Sequence, residues 1–258
     1  MSSILFEIRQ GVGLITFNRP EKYNAFNREM ALMLQELLDL CAQEKNVRAV
    51  CLTGSGRAFS AGQDLGELTG GDAPGFDRIL SEHYNPVVSR IRRLEKPVLS
   101  AVNGVAAGAG ANIALCCDVV VAAASAVFIQ AFSKIGLIPD SGGTFTLPRL
   151  VGLQKASALM MLGDRVGAAE AERMGMIYRV LPDEGFMDEC LKIALQLASL
   201  PTRALALTKQ ALNASQHQDF DAQLRTEDQL QIRAAHTYDY AEGVRAFLEK
   251  RAPVFRGE

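Results

Sequence analysis

The N-terminal part of the chain shows two kinds of hydrophobic pattern. Residues 4–9 and 12–18 are rich in Ile, Leu, Phe and Val, and Gln10–Gly11 between them is typical of a tight hairpin. From Asn27 to Ala42 the apolar residues recur at helical spacing, and Asn27 is a good N-cap, so the pattern predicts an amphipathic helix. Residues 48–53 then predict a strand that leads into a long loop.

The middle of the chain continues the alternation of strands and helices. Helical spacing predicts a helix over residues 76–94, and apolar runs predict strands at 97–103, 117–123 and 126–129. The Gly- and Asp-rich segment 69–75 predicts a mobile loop. Because strands alternate with helical segments, the pattern favours an α/β architecture.

From about residue 150 onward the pattern predicts helices only. Their breaks fall at glycine, proline and polar residues, which commonly end helices. A helical region without strands of its own would either cap the core or make contacts between subunits. The predicted helices are 152–162, 168–174, 183–199, 201–214, 218–236 and 239–250.

Composition and charge argue against several classes of protein. The chain has 258 residues, of which 48% are hydrophobic and 22% charged, as in ordinary globular proteins. A formal net charge of −2 disfavours nucleic acid as the main partner. Neither the histidines nor the cysteines show zinc-site spacing, so we expect no metal, and Cys116–Cys117 are expected to be buried free thiols. The cysteine pattern favours a reducing, cytoplasmic setting, and the start of the chain lacks the features of a secretion signal.

One long apolar segment needs a separate interpretation. Residues 104–128 carry few polar side chains over a length that could span a bilayer. The segment is built from Ala and Gly, contains Asp118, and divides into a Gly turn, a short helix and a Val-rich strand. We therefore interpret it as buried core and expect no membrane partner.

Three loops rich in Gly and Ala carry the candidate chemistry. They are AFSAGQDLG at 58–66, NGVAAGAG at 103–110 and GLIPDSGGT at 136–144. Small residues allow the backbone to approach a ligand and expose N–H groups that can hold an oxyanion, although any one loop alone is explained by tight turns. The dinucleotide fingerprint, the phosphate loop and the nucleophile elbow of serine hydrolases are incomplete or missing.

Asp140 is the most unusual residue of the third loop. It follows an apolar run and precedes two glycines, with no basic residue nearer than Lys134 and Arg149. Two interpretations are open at this point. Asp140 could be the N-cap of a helix that begins at Ser141. Alternatively, its apolar neighbours could raise its proton affinity, which suits a residue that takes up and returns a proton.

Four segments in the same order resemble the crotonase (enoyl-CoA hydratase/isomerase) superfamily over essentially the whole chain. The segments are NRPEKYNAF at 18–26, AFSAGQDL at 58–65, KPVLSAVNGVAAGAGANIALCCD at 96–118 and FSKIGLIPDSGGTFTLPRLVG at 132–152. The resemblance implies an α/β fold, a ClpP-like spiral of ββα units. It also implies a core over 1–200 and a helical region over 201–258 that makes homotrimers or dimers of trimers and covers the active site.

The resemblance further implies an acyl-CoA substrate and no separate cofactor. Its oxyanion donors match the main-chain N–H groups of Gln63 and Ala109. The residues matched to CoA and acyl contacts are Lys22, Ala25, Ala61, Gln63, Asp64, Leu65, Phe132, Phe247 and Lys250.

The chain departs from the family where hydratases carry two glutamates. The first of these positions matches Asn112 and the second matches Phe132. Asp140 matches a third position, which carries the working acid in isomerase-like members, so the resemblance favours the catalytic interpretation of Asp140. Within the family, AFSKIGLIPDSGGT and YNPVVSRI resemble most closely the isomerases of bacterial phenylacetate degradation. The implied reaction converts ring-1,2-epoxyphenylacetyl-CoA to its oxepin form or shifts a double bond from position 3 to position 2 of an enoyl-CoA.

Two alternatives stay open at the level of sequence. A hydratase of the same fold could pair Asp140 with a second acid such as Glu82 or Asp77. The chain could also be an acyl-CoA-binding or assembly subunit without catalytic activity.

Overall fold

The computed structural model describes residues 2–69 and 73–258. Its first two strands, β1 (Ile4–Arg9) and β2 (Val12–Phe17), pair antiparallel as the hairpin that the sequence predicts. Gln10 and Gly11 both have positive φ angles, of 48° and 88°, which a two-residue hairpin turn between twisted strands requires.

Two sheets are built from alternate strands of the chain. After β1 and β2, the strands are β3 (Ala49–Gly54), β4 (Ala58–Ser60), β5 (Val98–Val102), β6 (Val105–Ala107), β7 (Val119–Ala123), β8 (Val127–Ile129), β9 (Arg165–Gly167) and β10 (Arg179–Leu181). The larger sheet has the order β1-β2-β3-β5-β7-β10, and from β2 onward its neighbours are parallel. The smaller sheet has the order β4-β6-β8-β9, with only β8 and β9 antiparallel.

Three consecutive ββα units generate this arrangement, because each unit adds one strand to each sheet and then a helix. Two glycines allow the chain to cross between the sheets. A Cβ on Gly54 would lie 2.2 Å from the carbonyl oxygen of Ala58, and one on Gly104 would lie 2.2 Å from that of Arg57. No side chain fits at either crossing, which explains the glycine at the end of β3 and the one two residues after β5. The predicted α/β spiral of ββα units is confirmed.

The helices of the N-terminal half agree with the predicted positions. Helix α1 (Arg28–Gln43) begins at its N-cap Asn27, whose side chain accepts a hydrogen bond of 3.0 Å from the N–H of Met30. Helix α2 (Phe76–Arg78), a π-helical turn (Ile79–Tyr84) and α3 (Asn85–Arg93) form the helix predicted over 76–94. Helix α4 (Ala109–Leu115) follows β6 directly.

The π-helical turn has a local cause in Pro86. Proline has no N–H, and its ring clashes with the carbonyl group four residues earlier, which here belongs to Glu82. The N–H of Asn85 instead bonds to Leu80, five residues back, and the carbonyl oxygen of Glu82 accepts a hydrogen bond of 2.7 Å from Gln35. The wider turn places both His83 and Tyr84 in the interior.

The region after residue 150 is not purely helical, so that prediction is wrong in part. Strands β9 and β10 each add three residues to the edge of a sheet. Such segments are too short to show an alternating pattern, and backbone pairing with an existing edge is enough to fix them. The helices are α5 (Gly143–Val151), α6 (Leu153–Leu162), α7 (Ala168–Arg173), α8 (Phe186–Ser199), α9 (Thr202–Ser215), α10 (Phe220–Ala235) and α11 (Tyr238–Leu248).

The division at residue 200 falls between α8 and α9, and Arg48 ties the two sides together. Its guanidinium donates to the carbonyl oxygen of Leu200 at 2.6 Å, to Thr202 at 3.0 Å and to the carbonyl oxygen of Phe255 at 2.8 Å. Within the described residues no single helix is long and apolar enough to cross a membrane. Helices α8 and α9 reach that length only as a pair bent by 99°.

Two further predictions concern local features. Cys116 and Cys117 are free and buried, as predicted, and the other three cysteines are also free and buried. The segment 69–75 was predicted to be mobile, but its central residues 70–72 lie outside the described part of the chain.

Candidate active site

The first two glycine-rich loops contact each other closely. Gly62 has a φ of +89°, and a Cβ at this position would lie 2.8 Å from the carbonyl oxygen of Ala107 and 3.3 Å from the main-chain nitrogen of Ala109. Gly110 is pressed against Ser60 in the same way, since a Cβ there would lie 2.5 Å from the Ser60 carbonyl oxygen. Only glycine permits this approach, which brings the loops of Gln63 and Ala109 together.

The main chain around Gln63 is fixed by Phe26. The N–H of Phe26 donates to the carbonyl oxygen of Gly62 at 2.7 Å, and the N–H of Asp64 donates to the carbonyl oxygen of Phe26 at 2.8 Å. These two bonds bracket Gln63 in a parallel bridge. Among the described residues the N–H of Gln63 has no hydrogen-bond acceptor. It is therefore held in place and available to a ligand.

Ala109 is the first residue of α4, and Gly108 is its N-cap without a side-chain cap. The first N–H groups of a helix have no partner within the helix, and the helix dipole favours negative charge at this end. Phe132 is buried, and its ring lies beside this terminus, 3.8 Å from the position that a Cβ on Gly108 would take. The loops of Gln63 and Ala109 can thus offer two main-chain donors to one oxyanion.

Asp140 is not a helix cap, so that interpretation is wrong. Helix α5 begins at Gly143, and its N-cap is Gly142 without a side-chain hydrogen bond. Ser141 and Gly142 both have positive φ angles, of 52° and 74°, which turn the chain between Asp140 and the helix. A non-glycine residue such as Ser141 in this conformation is strained, and such strain is often found at functional sites.

The carboxylate of Asp140 lies in an environment that favours proton uptake. Burial raises its pKa above the ordinary value of an aspartate, while hydrogen bonds from Ser141 and from its own N–H oppose the rise. The Ser141 hydroxyl donates to Oδ1 at 2.8 Å. No ion pair within the described residues includes Asp140. Its charge therefore lacks a basic partner there, as a residue that exchanges protons requires.

Asn112 and Gln130 support the main chain of Asp140. The side-chain amide of Asn112 donates to the carbonyl oxygen of Asp140 at 2.9 Å and accepts from Gln130 at 2.8 Å. Both amides are buried. A Cβ on Gly143 would lie 2.3 Å from the Asn112 nitrogen, so the start of α5 rests directly on this amide. The sequence analysis noted only that Asn112 stands where hydratases carry a glutamate, and it did not predict this supporting contact.

Tyr84 is a second residue that sequence reasoning overlooked. Its hydroxyl donates to the side-chain oxygen of Gln63 at 2.7 Å, and only 1% of the residue is exposed. Burial raises the pKa of Tyr84 well above its ordinary value, and the negative charges of Asp140 and Glu67 add to the rise. Helical spacing with the buried Val87 and Ile91 already places Tyr84 on the inner face of the helix, but it does not reveal the contact of its hydroxyl with Gln63.

The matched coenzyme A contacts between Lys22 and Leu65 lie in two segments, 19–26 and 61–65, which hydrogen bonds and an ion pair join. Lys22 is exposed at the end of a short 3-10 helix (Pro20–Lys22). Arg19 forms an ion pair of 2.8 Å with Asp64 and donates to the carbonyl oxygen of Ala25 at 2.6 Å. Burial alone would raise the pKa of Asp64, but hydrogen bonds from Arg19 and the main chain hold it below its ordinary value.

The residues of segments 19–26 and 61–65 differ in exposure. Ala61 is exposed, although its N–H is bonded to the carbonyl oxygen of Tyr23 at 2.9 Å, and Leu65 is 51% exposed. Ala25 is buried. Lys22, Ala61 and Leu65 are therefore accessible to a ligand, whereas Ala25 is buried and its N–H and carbonyl oxygen are already bonded to Lys22 and Arg19.

Phe247 and Lys250 lie elsewhere, at the C-terminal end of α11. Phe247 is 82% exposed and borders an apolar groove of about 470 Å³ between α9, α10, α11 and the C-terminal segment. No residue of the three glycine-rich loops lines this groove. Within one chain the structure does not bring Phe247 and Lys250 to Asp140.

Glu82, one of the two alternative acids, is engaged in ion pairs with Arg28 and Arg78. Hydrogen bonds from these two arginines lower its pKa to about 2. A carboxylate held in this way is a poor proton donor near neutral pH. Asp77, the other alternative, lies in α2 next to the ion pair.

Comparisons with known proteins agree with the fold. The family model of enoyl-CoA hydratase/isomerase matches residues 7–258. The chain is 46% identical to the 1,2-epoxyphenylacetyl-CoA isomerase of Escherichia coli K12 over 100% of both chains. It is also 46% identical to a probable enoyl-CoA hydratase of Rhodobacter capsulatus, over 99% of this chain and 98% of the relative.

A solved structure supports the same assignment. The enoyl-CoA hydratase from Bacillus anthracis superposes with a TM-score of 0.95 at 34% identity, covering 99% of this chain and 100% of that chain. The described architecture, with its two sheets and C-terminal helices, is that of the crotonase fold. The chain therefore belongs to the enoyl-CoA hydratase/isomerase family of the crotonase superfamily, whose enzymes act on acyl-CoA thioesters.

Proposed function

We propose that this protein is an acyl-CoA isomerase in which Asp140 moves the proton. The observation that carries the proposal is the environment of Asp140, a partly buried carboxylate without a basic partner among the described residues, whose main-chain carbonyl oxygen accepts a hydrogen bond from the side-chain amide of Asn112. Asn112 and the buried Phe132 stand at the positions where the resemblance places the two glutamates of hydratases.

The proposed reaction begins at the thioester. The carbonyl oxygen accepts hydrogen bonds from the main-chain N–H groups of Gln63 and Ala109. The Asp140 carboxylate removes a proton from the carbon next to the thioester, and the electron pair of the broken C–H bond moves onto the thioester oxygen. Donors fixed in place before the charge develops stabilise it without reorganisation, and loss of one such donor typically costs about 3 kcal/mol in the transition state.

The proton then returns at a different atom. In a 3-enoyl-CoA, Asp140 delivers it to C4, so the double bond moves to position 2 and the carboxylate is regenerated. In the ring epoxide, the carbon–carbon bond shared by the epoxide and the six-membered ring breaks as the electron pairs of the ring shift, which gives the seven-membered oxepin. Asp140 removes a proton from the carbon next to the thioester and returns it to a carbon of this ring, so the carboxylate is again regenerated. Neither route consumes electrons, so the reaction balances with coenzyme A as part of the substrate and no further cofactor.

Hydration of an enoyl-CoA fits this site less well. Addition of water needs one group to activate the water and another to supply a proton to the neighbouring carbon. Asn112 and Phe132 cannot do either, and Glu82 is held by Arg28 and Arg78. The lone carboxylate of Asp140 supports a shift of one proton within the substrate.

Coenzyme A binding and assembly complete the proposal. Lys22 and Lys250 would contact phosphates, Leu65 and Phe247 would contact apolar parts of the ligand, and Asp64 would keep Arg19 in place. Because Phe247 is exposed and remote from Asp140 in one chain, it would serve the site of a neighbouring subunit in a trimer or dimer of trimers. The helices over 201–258 would make these contacts around the core over 1–200. A monomer in sedimentation velocity at micromolar concentration would contradict this part.

The experiment that tests the function is a comparison of three substrates with the purified protein. We expect turnover of a 3-enoyl-CoA and of ring-1,2-epoxyphenylacetyl-CoA, the second because of the E. coli relative's name. Hydration of crotonyl-CoA should be at least about a hundredfold slower. Faster hydration than isomerisation would refute the proposal, and acyl-CoA binding without turnover of any substrate would indicate a binding subunit.

A further inference from the structure

The side-chain amide of Gln63 is held at both ends. Its oxygen accepts from the Tyr84 hydroxyl at 2.7 Å, and its nitrogen donates to Oε2 of Glu67 at 2.9 Å. The other oxygen of Glu67 accepts from the main-chain N–H of Arg28 at 2.8 Å. The amide therefore cannot rotate without breaking a hydrogen bond, and both of its anchors lead back to helical elements of the core.

Tyr84 also helps to fix the main chain of Gln63, through Phe26. The ring of Tyr84 packs edge-on against Phe26, with ring centroids 6.2 Å apart. Phe26 in turn makes the two main-chain hydrogen bonds that bracket Gln63, to Gly62 and Asp64. Tyr84 thus contacts both the side chain of Gln63 and the residue that holds its backbone.

We propose that Tyr84 and Glu67 are positioning residues, which hold Gln63 so that its main-chain N–H stays directed at the thioester oxygen. This inference rests on the proposed function, because it assumes that the Gln63 N–H is an oxyanion donor. Preorganised donors stabilise a transition state more than mobile ones, since no reorganisation is needed as charge develops. Burial keeps the pKa of Tyr84 far above neutrality, so its hydroxyl remains a donor to Gln63 throughout the working range of pH.

Single and double variants test the inference by kinetics. Tyr84→Phe removes the hydroxyl and keeps the ring against Phe26, and Gln63→Met removes both side-chain hydrogen bonds. We expect each to lower isomerase kcat about tenfold with KM changed less than about twofold, because a loosened donor affects mainly the transition state. The double variant should be no slower than Gln63→Met, since Tyr84 acts through that side chain.

The matched control is Tyr178→Phe. Tyr178 is 60% exposed and its hydroxyl accepts from Arg179 at 3.0 Å, far along the chain from these loops. The kcat of Tyr178→Phe should stay within about twofold of that of the unaltered protein. Normal kcat in Tyr84→Phe, or a double variant about a hundredfold slower than the unaltered protein, would overturn the inference.

Amide hydrogen exchange gives a second readout that needs no substrate. The N–H groups of Ala61, Gly62, Asp64 and Gly66 are all hydrogen-bonded in this loop. We expect Tyr84→Phe and Gln63→Met to speed exchange in residues 61–66 to a similar extent, and the double variant no further. Should the unaltered protein fail to isomerise any acyl-CoA, the proposed function falls, and exchange alone decides whether Tyr84 positions the loop. Unchanged exchange in Tyr84→Phe would overturn that role.

Discussion

The side-chain amide of Asn112 donates a hydrogen bond of 2.9 Å to the main-chain carbonyl oxygen of Asp140. An amide cannot exchange a proton as a carboxylate does, so Asn112 cannot do the work that the resemblance assigns to a hydratase glutamate at this position. It instead supports the turn that presents Asp140, together with the strained Ser141 and the buried Gln130. Asn112 therefore contributes to the geometry of the loop that carries Asp140.

Asn112→Ala tests this support. The variant leaves the carbonyl oxygen of Asp140 and the amide of Gln130 without their partner in a buried place. We expect the free energy of unfolding to fall by about 2 kcal/mol, and kcat to fall about tenfold as Asp140 shifts. Chemical denaturation and steady-state kinetics measure both effects.

Asn46→Ala is the control for this variant, because Asn46 is exposed and should change stability by less than about 0.5 kcal/mol. Unchanged stability and kcat in Asn112→Ala would show that the turn holds Asp140 without the amide.

Gly62→Ala tests the close approach of the first two loops. An alanine at φ +89° is strained, and its Cβ would lie 2.8 Å from the carbonyl oxygen of Ala107. We expect a loss of at least about 1 kcal/mol in stability and of about a hundredfold in kcat, because both main-chain donors move.

Gly167→Ala serves as the comparison, since nothing lies within 4 Å of a Cβ at that position. Gly167 is the N-cap of α7, so Gly167→Ala should lower the free energy of unfolding by at most about 1 kcal/mol without a change in kcat. Equal kinetic effects of the two alanines would contradict the role given to Gly62.

Lys22→Glu tests the coenzyme A contact. Phosphate contacts stabilise the bound substrate and the transition state alike, so KM should rise about tenfold while kcat stays nearly constant. Lys45→Glu, an equally exposed position away from the loops, should leave KM within about twofold. A fall in kcat with unchanged KM in Lys22→Glu would remove Lys22 from the binding site.

The pH dependence follows from the raised pKa of Asp140. The carboxylate must be ionised to remove a proton, so kcat/KM should fall as pH falls, with a midpoint above the pKa of an ordinary aspartate. The contribution of Asp140 to folding stability changes with pH in the opposite direction to kcat/KM. Because the folded pKa lies above the unfolded one, protonated Asp140 favours the folded state at low pH, and this contribution is lost as pH rises through the folded pKa. A midpoint of kcat/KM at or below the ordinary pKa of an aspartate would contradict the partly buried environment of Asp140.

Much of the fold could be predicted from sequence because its signals are local. The hairpin at Gln10–Gly11 and the Asn27 cap depend on nearby residues, and the structure confirms both. Strands β9 and β10 depend on pairing with distant sheet edges, so no pattern within three residues reveals them.

The site was harder to predict because its side chains are held by distant contacts. Asp140 was identified as catalytic through the family resemblance, whereas its local sequence alone favoured a helix cap. The support from Asn112 and Tyr84 depends on tertiary geometry. Helical spacing places Tyr84 on the buried face, but it does not indicate that its hydroxyl meets Gln63.

The most direct test of the central claim is the isomerase activity of Asp140→Asn. The variant keeps the shape of the side chain and the main-chain hydrogen bonds of Asp140, but removes the basic oxygen. We expect kcat to fall at least about a hundredfold, as is usual for loss of a general base, with acyl-CoA affinity unchanged and the Tm at neutral pH no lower. Near-normal isomerisation by Asp140→Asn would contradict the account.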